Sequence, residues 1–327
     1  MKGPLSCVAF LCGLLVLPAL ALAAQPYRVA WVSMDDPSEN PPLMQAFRQG
    51  MAEQRLVEGR DFVIEGVWGS ASGERLEQSL RGLRASQRPE ADVYVAQGGL
   101  ALPPLLASGT KQPIVYTISA DPVAAGVADT YAHPGHNATG ITLFTAELAG
   151  KRVAMLKEAL PSLKHVAIIA NPDHPGVAAE LRSAREAAGR LGVDVTYNPF
   201  NTPDSLEAAL GTIARARPDA ILVFSDGFAL ASADRIAAFA LEHKIPVISG
   251  WADFATRGNL MTYGPVFSDV YRRLASYVVR IRQGAKAGDL PLEQPIKLEL
   301  VVNARTARAL GIALPQSLLV RADRIIE

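Results

Sequence analysis

The sequence predicts an α/β protein made of two doubly wound parallel-sheet lobes joined by hinge segments, and three observations predict it. Short β-rich runs alternate with helix-length amphipathic segments from Tyr27 onward, the pattern of βαβ units. The chain also repeats itself: RPEADVYVAQGG (88–99) is matched by RPDAILVFSDG (217–227), and each is followed by a helix-length segment and a Pro-led strand. Between the two series lies DTYAHPGHNATGITLF (129–144), rich in backbone breakers, where the chain would pass from one lobe to the other.

In chain order, the first element is a leader. Lys2 precedes the apolar run VAFLCGLLVLPALALA, and Ala21-Leu22-Ala23 has the small-x-small form of a signal-peptidase site, so residues 1–23 are expected to be removed on export. Cys7 and Cys12, the only cysteines, would leave with it, and the mature protein must then hold together without disulfides. Strands are expected at YRVAWVS, DFVIEGVW, DVYVAQ and PIVYTIS, then at KHVAIIA, VDVTYN, DAILVFS, IPVIS and IKLELVV. PLMQAFRQGMAEQRL, GERLEQSLRGLRAS and PDSLEAALGTIARA carry apolar residues at helical spacing. In the last, Thr202 is placed to cap and Pro203 to open the first turn. In the linking stretch, Pro134 and Gly135 predict a turn, Gly140 a relaxed backbone, and Ile141–Phe144 an inter-lobe strand.

Composition narrows function. The 327 residues hold 32 basic and 32 acidic side chains with no basic block, which argues against a nucleic-acid surface. The first strand is followed by MDDPSENPP rather than a glycine-rich dinucleotide turn, and no phosphate loop, nucleophile elbow or His-Glu-x-x-His motif is present. No cofactor is expected. His133 and His136 lack a compact set of further ligands, so no metal site is predicted there.

What remains is a set of small polar loops at strand C-termini, where open parallel sheets bind ligands. They hold Ser33 and Asp35, Gly98 and Gly99, Ser119 and Asp121 in the first series. In the second they hold Asn171, Ser225 and Asp226, and Trp251. Each has a structural reading beside the functional one. Ser33, Ser225, Asp121 and Asp226 could be caps, Gly98 and Gly99 a tight turn, and Trp251 and Phe228 core aromatics. Trp31 and Trp68 are assigned to packing. His165 and His243 read as surface or capping residues, and His174 in NPDHPG lies on a candidate cleft loop.

The blocks DPVAAG with HPGHNATGIT, GNLMTYGPVFSDVYRRLASYVVRIRQGAKAGDLPLEQP, KLELVVNARTARALGIALP and SLLVRADRIIE resemble the ABC transporter substrate-binding proteins of the tryptophan/tyrosine-type group, of type I periplasmic-binding-protein-like fold. The resemblance spans nearly all of the mature chain. It implies a periplasmic protein, not inserted in the membrane and working as a monomer, that closes on a small molecule and presents it to an ABC transporter permease. A sensor that reports its ligand to a membrane receptor is the other role, and an exported α/β enzyme a third. It also implies further crossings at LMTYGP and IKLELVVN. The lobes are then expected at 24–139 with about 264–295, and at 140–263 with about 296–327. One departure is visible. The family often has Gly-Gly-Asn where this chain has Gly135-His136-Asn137, which questions any special backbone angle at His136.

Overall fold

A computed structural model describes residues 25–34, 36, 41–70, 72–85 and 90–327; the leader assigned to 1–23, and Asp35, lie outside them. The first series comprises β1 (Tyr27–Ser33), α1 (Pro41–Glu53), β2 (Phe62–Trp68), α2 (Gly73–Ala85), β3 (Val93–Gln97), α3 (Leu102–Ala107), β4 (Ile114–Ile118) and β5 (Ala138–Thr142). These strands form one parallel sheet in the order β2-β1-β3-β4-β5.

The second series opens with α4 (Thr145–Ala159), β6 (His165–Ala170), α5 (Val177–Arg190), β7 (Asp194–Pro199), α6 (Pro203–Ala216) and β8 (Ala220–Val223). It continues with α7 (Gly227–Ala231), α8 (Ala233–His243), β9 (Val247–Ser249), α9 (Ala252–Thr256) and β10 (Met261–Pro265). Then follow α10 (Phe267–Arg282), β11 (Leu298–Asn303), α11 (Ala304–Leu310), α12 (Gln316–Arg321) and β12 (Arg324–Ile326). The second sheet runs β12-β11-β10-β9-β8-β6-β7, with only the β10–β11 pair antiparallel.

The repeat read in the sequence is therefore a repeat of topology. Stripped of β11 and β12, the second sheet has the order of the first, and the matched segments become β3 and β8, each third in its series. Both sheets reverse strand order beside their first strand, at β1/β3 and β6/β8, the switch points where doubly wound sheets place ligands. Central strands carry helices on both faces, so β3, β4 and β8 are continuous apolar runs rather than alternating ones.

Most predicted elements fall within a residue or two of their bounds, and α6 coincides with PDSLEAALGTIARA. Thr202 Oγ1 accepts from the Ser205 amide at 3.1 Å, and the Ser205 hydroxyl returns to the Thr202 amide, a closed capping box. The linking stretch differs from expectation. β5 begins at Ala138 and ends at Thr142, as an edge of the first sheet. Gly140 lies inside it because the Tyr116 carbonyl passes 2.0 Å from where a Cβ would stand; the glycine serves close approach, not relaxation. Phe144, next to α4, adopts φ 56°, and His136 adopts φ 53°, so the left-handed angle in the departing tripeptide is kept despite a side chain.

The two cores share helices across the linking segments. Ala149, Val153 and Leu156 of α4 pack with β6 and β8 in the second core. Val270, Leu274, Tyr277 and Val278 of α10, although it follows β10, pack with Val29, Trp31 and Phe47 in the first. The chain thus passes between the two sheets near residues 143–144, at Val266, and again between Glu293 and Leu298.

Candidate functional site

The C-terminal ends of the two sets of parallel strands face one another, and the residues there are held by short, mostly buried hydrogen bonds. In the first lobe Ser33 ends β1 and is fully buried. Gly98, after β3, has φ 78°, a conformation that favours glycine, and its amide donates to Thr117 Oγ1 at 3.0 Å. That hydroxyl also pairs with Tyr271 Oη on α10 at 3.1 Å. Ser119 follows β4, with its Oγ 2.9 Å from His174 Nε2 of the opposite lobe. Asp121 stands further out, exposed, where its Oδ1 accepts from the amides of Val123 and Ala124.

In the second lobe the side chains of Asn171 and Asp226 join the ends of β6 and β8: Asn171 Nδ2 donates to Asp226 Oδ2 at 2.8 Å. Asp226 also caps α7, its Oδ1 accepting from the Ala229 amide at 2.6 Å. Burial pushes this carboxyl above its usual range, against the pull of its hydrogen bonds to Ala229 and Asn171. Ser225 Oγ accepts from the Gly250 amide at 2.8 Å and so fastens β8 to β9. With Ala170, His174, Val177, Glu180 and Phe224, the Asn171, Ser225 and Asp226 side chains line a cavity of about 10 Å³, the size of one water or ammonium group.

Glu180 in the wall of this cavity and Arg152 beyond it are two fully buried charged side chains. Arg152 of α4 and Glu180 of α5 attract one another. Burial still lowers the guanidinium to about 10 and raises the Glu180 carboxyl to about 7. A Cβ on Gly250 would stand 2.6 Å from Arg152 Nη2, so the glycine leaves room for the guanidinium beneath β9. Sequence reasoning missed this pair, because Arg152 and Glu180 look like ordinary solvated helix positions.

Trp251 is half-buried, its ring edge-on to Phe267 at 4.9 Å. Phe267 stacks on Tyr271, and Tyr271 lies against the buried Trp31, so an aromatic row runs from the first lobe's core to Trp251 in the second. Phe228 packs on Phe200 in the second core. Trp31 is fully buried and donates Nε1–H to Gln97. His165 pairs with Thr196, and His243 lies against Phe239 in the last turn of α8. Among the described residues no three His, Cys, Asp or Glu side chains are grouped to hold a metal ion, and no helix is long and apolar enough to cross a membrane.

Two doubly wound sheets of like order, apposed at their strand C-termini and linked by several chain passages, define the class of two-lobed periplasmic-binding-protein folds. Solved structures share this architecture. A conserved domain protein from Vibrio cholerae matches with a TM-score of 0.83 at 23% identity, over 92% of this chain and 100% of that one. An ABC domain from Streptococcus pneumonia in complex with L-Trp also matches at 0.83, with 20% identity and the same coverage. Among curated proteins, the tyrosine-binding protein of Clostridioides difficile (strain R20291) is 23% identical over 200 residues, 61% of this chain and 57% of that protein. The chain thus spans little more than half the length of that relative. The family model for ABC transporter substrate binding protein matches residues 38–326, and the chain belongs to that family.

Proposed function

We propose that this family member is a periplasmic binding protein without catalysis that captures an amino acid between its lobes and delivers it to an ABC transporter permease. The observation that carries this reading is the facing of the two switch points, with buried polar groups on one side and an aromatic row beside them. Asp226, Asn171 and Ser225 suit an ammonium group, backbone amides near Gly98 and Gly99 a carboxylate, and Trp251 an apolar side chain. The relatives named for tyrosine and L-Trp favour an aromatic amino acid among the candidates. The two lobes swing about the linking segments near residues 143–144, at Val266 and between Glu293 and Leu298, and ligand stabilises the closed state by touching both. Export through the cleavable leader at 1–23 is taken to place the mature protein in the periplasm, not inserted in the membrane, and the family resemblance implies a monomer.

The test is thermal unfolding of the purified protein against a panel of amino acids, aromatic acids, nucleosides and sugars. A ligand at about a hundred times its dissociation constant adds roughly 2.7 kcal/mol, a shift of several degrees. A selective shift by aromatic amino acids supports the reading. A selective shift by sugars or nucleosides alone overturns the amino-acid assignment.

A further inference from the structure

We propose that Glu180 is the inner acceptor of the ammonium subsite: a primary ammonium group enters the cavity that Glu180 shares with Asp226 and donates to its free oxygen. The inference rests on the binding reading for how that group is delivered, and on the cavity alone for what receives it. Asn171 and Asp226 stand at the strand ends that face the cleft, and Glu180 of α5 closes the same cavity from within. Both Asp226 oxygens are already engaged, Oδ1 by the Ala229 amide and Oδ2 by Asn171 Nδ2. Glu180 differs. It is only 1% exposed, and its Oε2 has no hydrogen-bond partner. A buried acceptor without a donor is costly, so this oxygen calls for an occupant that donates. Arg152 does not fill that role. Its Nε is spent on the Tyr263 carbonyl, and Nη1 and Nη2 are themselves without partners, so the guanidinium attracts Glu180 without bonding it.

Charge decides what the occupant is. The titratable groups around Glu180 are Arg152 and Glu147 on α4, Asp173 and His174 in the loop after β6, Asp194 and Tyr197 on β7, and Asp226 capping α7. Glu147, Asp173 and Asp194 are exposed to water, and burial holds the His174 imidazole down at about 4, so it is neutral. The buried part thus sets two carboxylates against one guanidinium, and one negative charge is left over. A water in the cavity donates hydrogen bonds but leaves that charge unbalanced; an ammonium group does both. Without it the balance is kept by a proton, for burial raises Glu180 to about 7. An arriving ammonium replaces that proton, which leaves for solvent. Affinity is then full above about 7 and falls as the pH drops below it, by up to about tenfold per pH unit, while alkylammonium groups stay charged across this window. The cavity volume, about 10 Å³, admits an ammonium head but no N-methyl or N-acetyl group.

The experiment is thermal unfolding in methylammonium chloride, against sodium and tetramethylammonium chloride at equal ionic strength, for wild type and Glu180→Gln. Methylammonium alone is expected to raise the wild-type midpoint, with an affinity about tenfold weaker at pH 6 than at pH 8. Glu180→Gln, certified as folded by far-UV circular dichroism, should lose the selective shift and its pH dependence. The wild-type pH comparison stands even if that variant does not fold. For any amino acid that the ligand panel finds, calorimetric titration at pH 7 in two buffers of different ionisation heat should show proton release by wild type, and its N-acetyl form should not bind. No selective methylammonium shift means that the cavity holds a water and overturns the proposal, as does a Glu180→Gln protein that responds like wild type. An amino acid that binds without releasing a proton also overturns it, while leaving the amino-acid reading intact. Conversely, a Glu180-dependent methylammonium shift beside a panel that answers only to sugars upholds the subsite and removes that reading.

Discussion

Arg152 donates its Nε–H to the main-chain carbonyl of Tyr263 at 2.8 Å. The bond joins α4, the first helix after the chain leaves the first sheet, to β10, the last strand before it returns. A fully buried guanidinium thus sits between two of the passages that connect the lobes. Replacing it with methionine keeps much of the volume but removes the positive charge that attracts the buried Glu180 carboxyl. Arg152→Met should cost about 3 kcal/mol, read as a lower urea midpoint, and the double variant with Glu180→Leu should recover most of it. A double variant no more stable than the single one would show that the two charges do not compensate one another.

The pH dependence of stability has two opposing contributions near neutrality. Glu180 is raised to about 7 in the fold, so the folded state binds more protons than the unfolded state between about 4.5 and 7, and its contribution falls as the pH rises through that window. His174 is lowered to about 4, so the unfolded state binds more protons between about 4 and 6.5, and its contribution rises with pH there. Wild type should show a shallow profile between pH 5 and 6.5. Glu180→Gln should steepen the rise with pH and His174→Gln should reverse it, as denaturation midpoints measured at each pH will tell.

Asp226 serves both as a cap and as the candidate ammonium acceptor, and two substitutions separate these roles. Asp226→Asn keeps an oxygen for the Ala229 amide but sets its own amide nitrogen against Asn171 Nδ2, so it should cost about 1 kcal/mol of stability while weakening an ammonium ligand at least tenfold. Asp226→Ala loses the cap as well and should cost about 1 kcal/mol more. Asp121, exposed and turned to its own loop amides, should matter less; calorimetric titration of Asp121→Ala decides between the two carboxylates.

Backbone demands in the linking stretch give a pair of stability tests. His136→Gly relieves a left-handed residue and should gain about 0.5–1 kcal/mol, since the side chain's nearest partner, Asp129, is exposed and 3.7 Å away. Gly140→Ala sets a Cβ against the Tyr116 carbonyl and should cost about 1–3 kcal/mol as β5 shifts. Differential scanning calorimetry of the two variants should show melting temperatures moving in opposite directions.

Most of the strands, three of the helices and the twofold repeat were legible in the sequence because their signals are local. Apolar periodicity marked β3, β8 and α6, and Thr202-Pro203 marked a helix start. Even the loops of the cleft could be listed, since parallel sheets put their small polar turns at one end. What those loops do was decided by tertiary structure. Asn171 meets Asp226, and Ser119 meets His174, across 55 residues in each case. The first encounter depends on strand order within the second sheet and the second on how the two lobes face one another, neither of which any spacing in the chain records. Arg152 shows the limit most plainly. On a helix it reads as one more solvated charge, and only the packing of α4 and α5 against the second sheet removes it from water and makes Glu180 its neighbour. Local chemistry settled which elements form; the desolvation and pairing of their polar ends belong to the assembled fold.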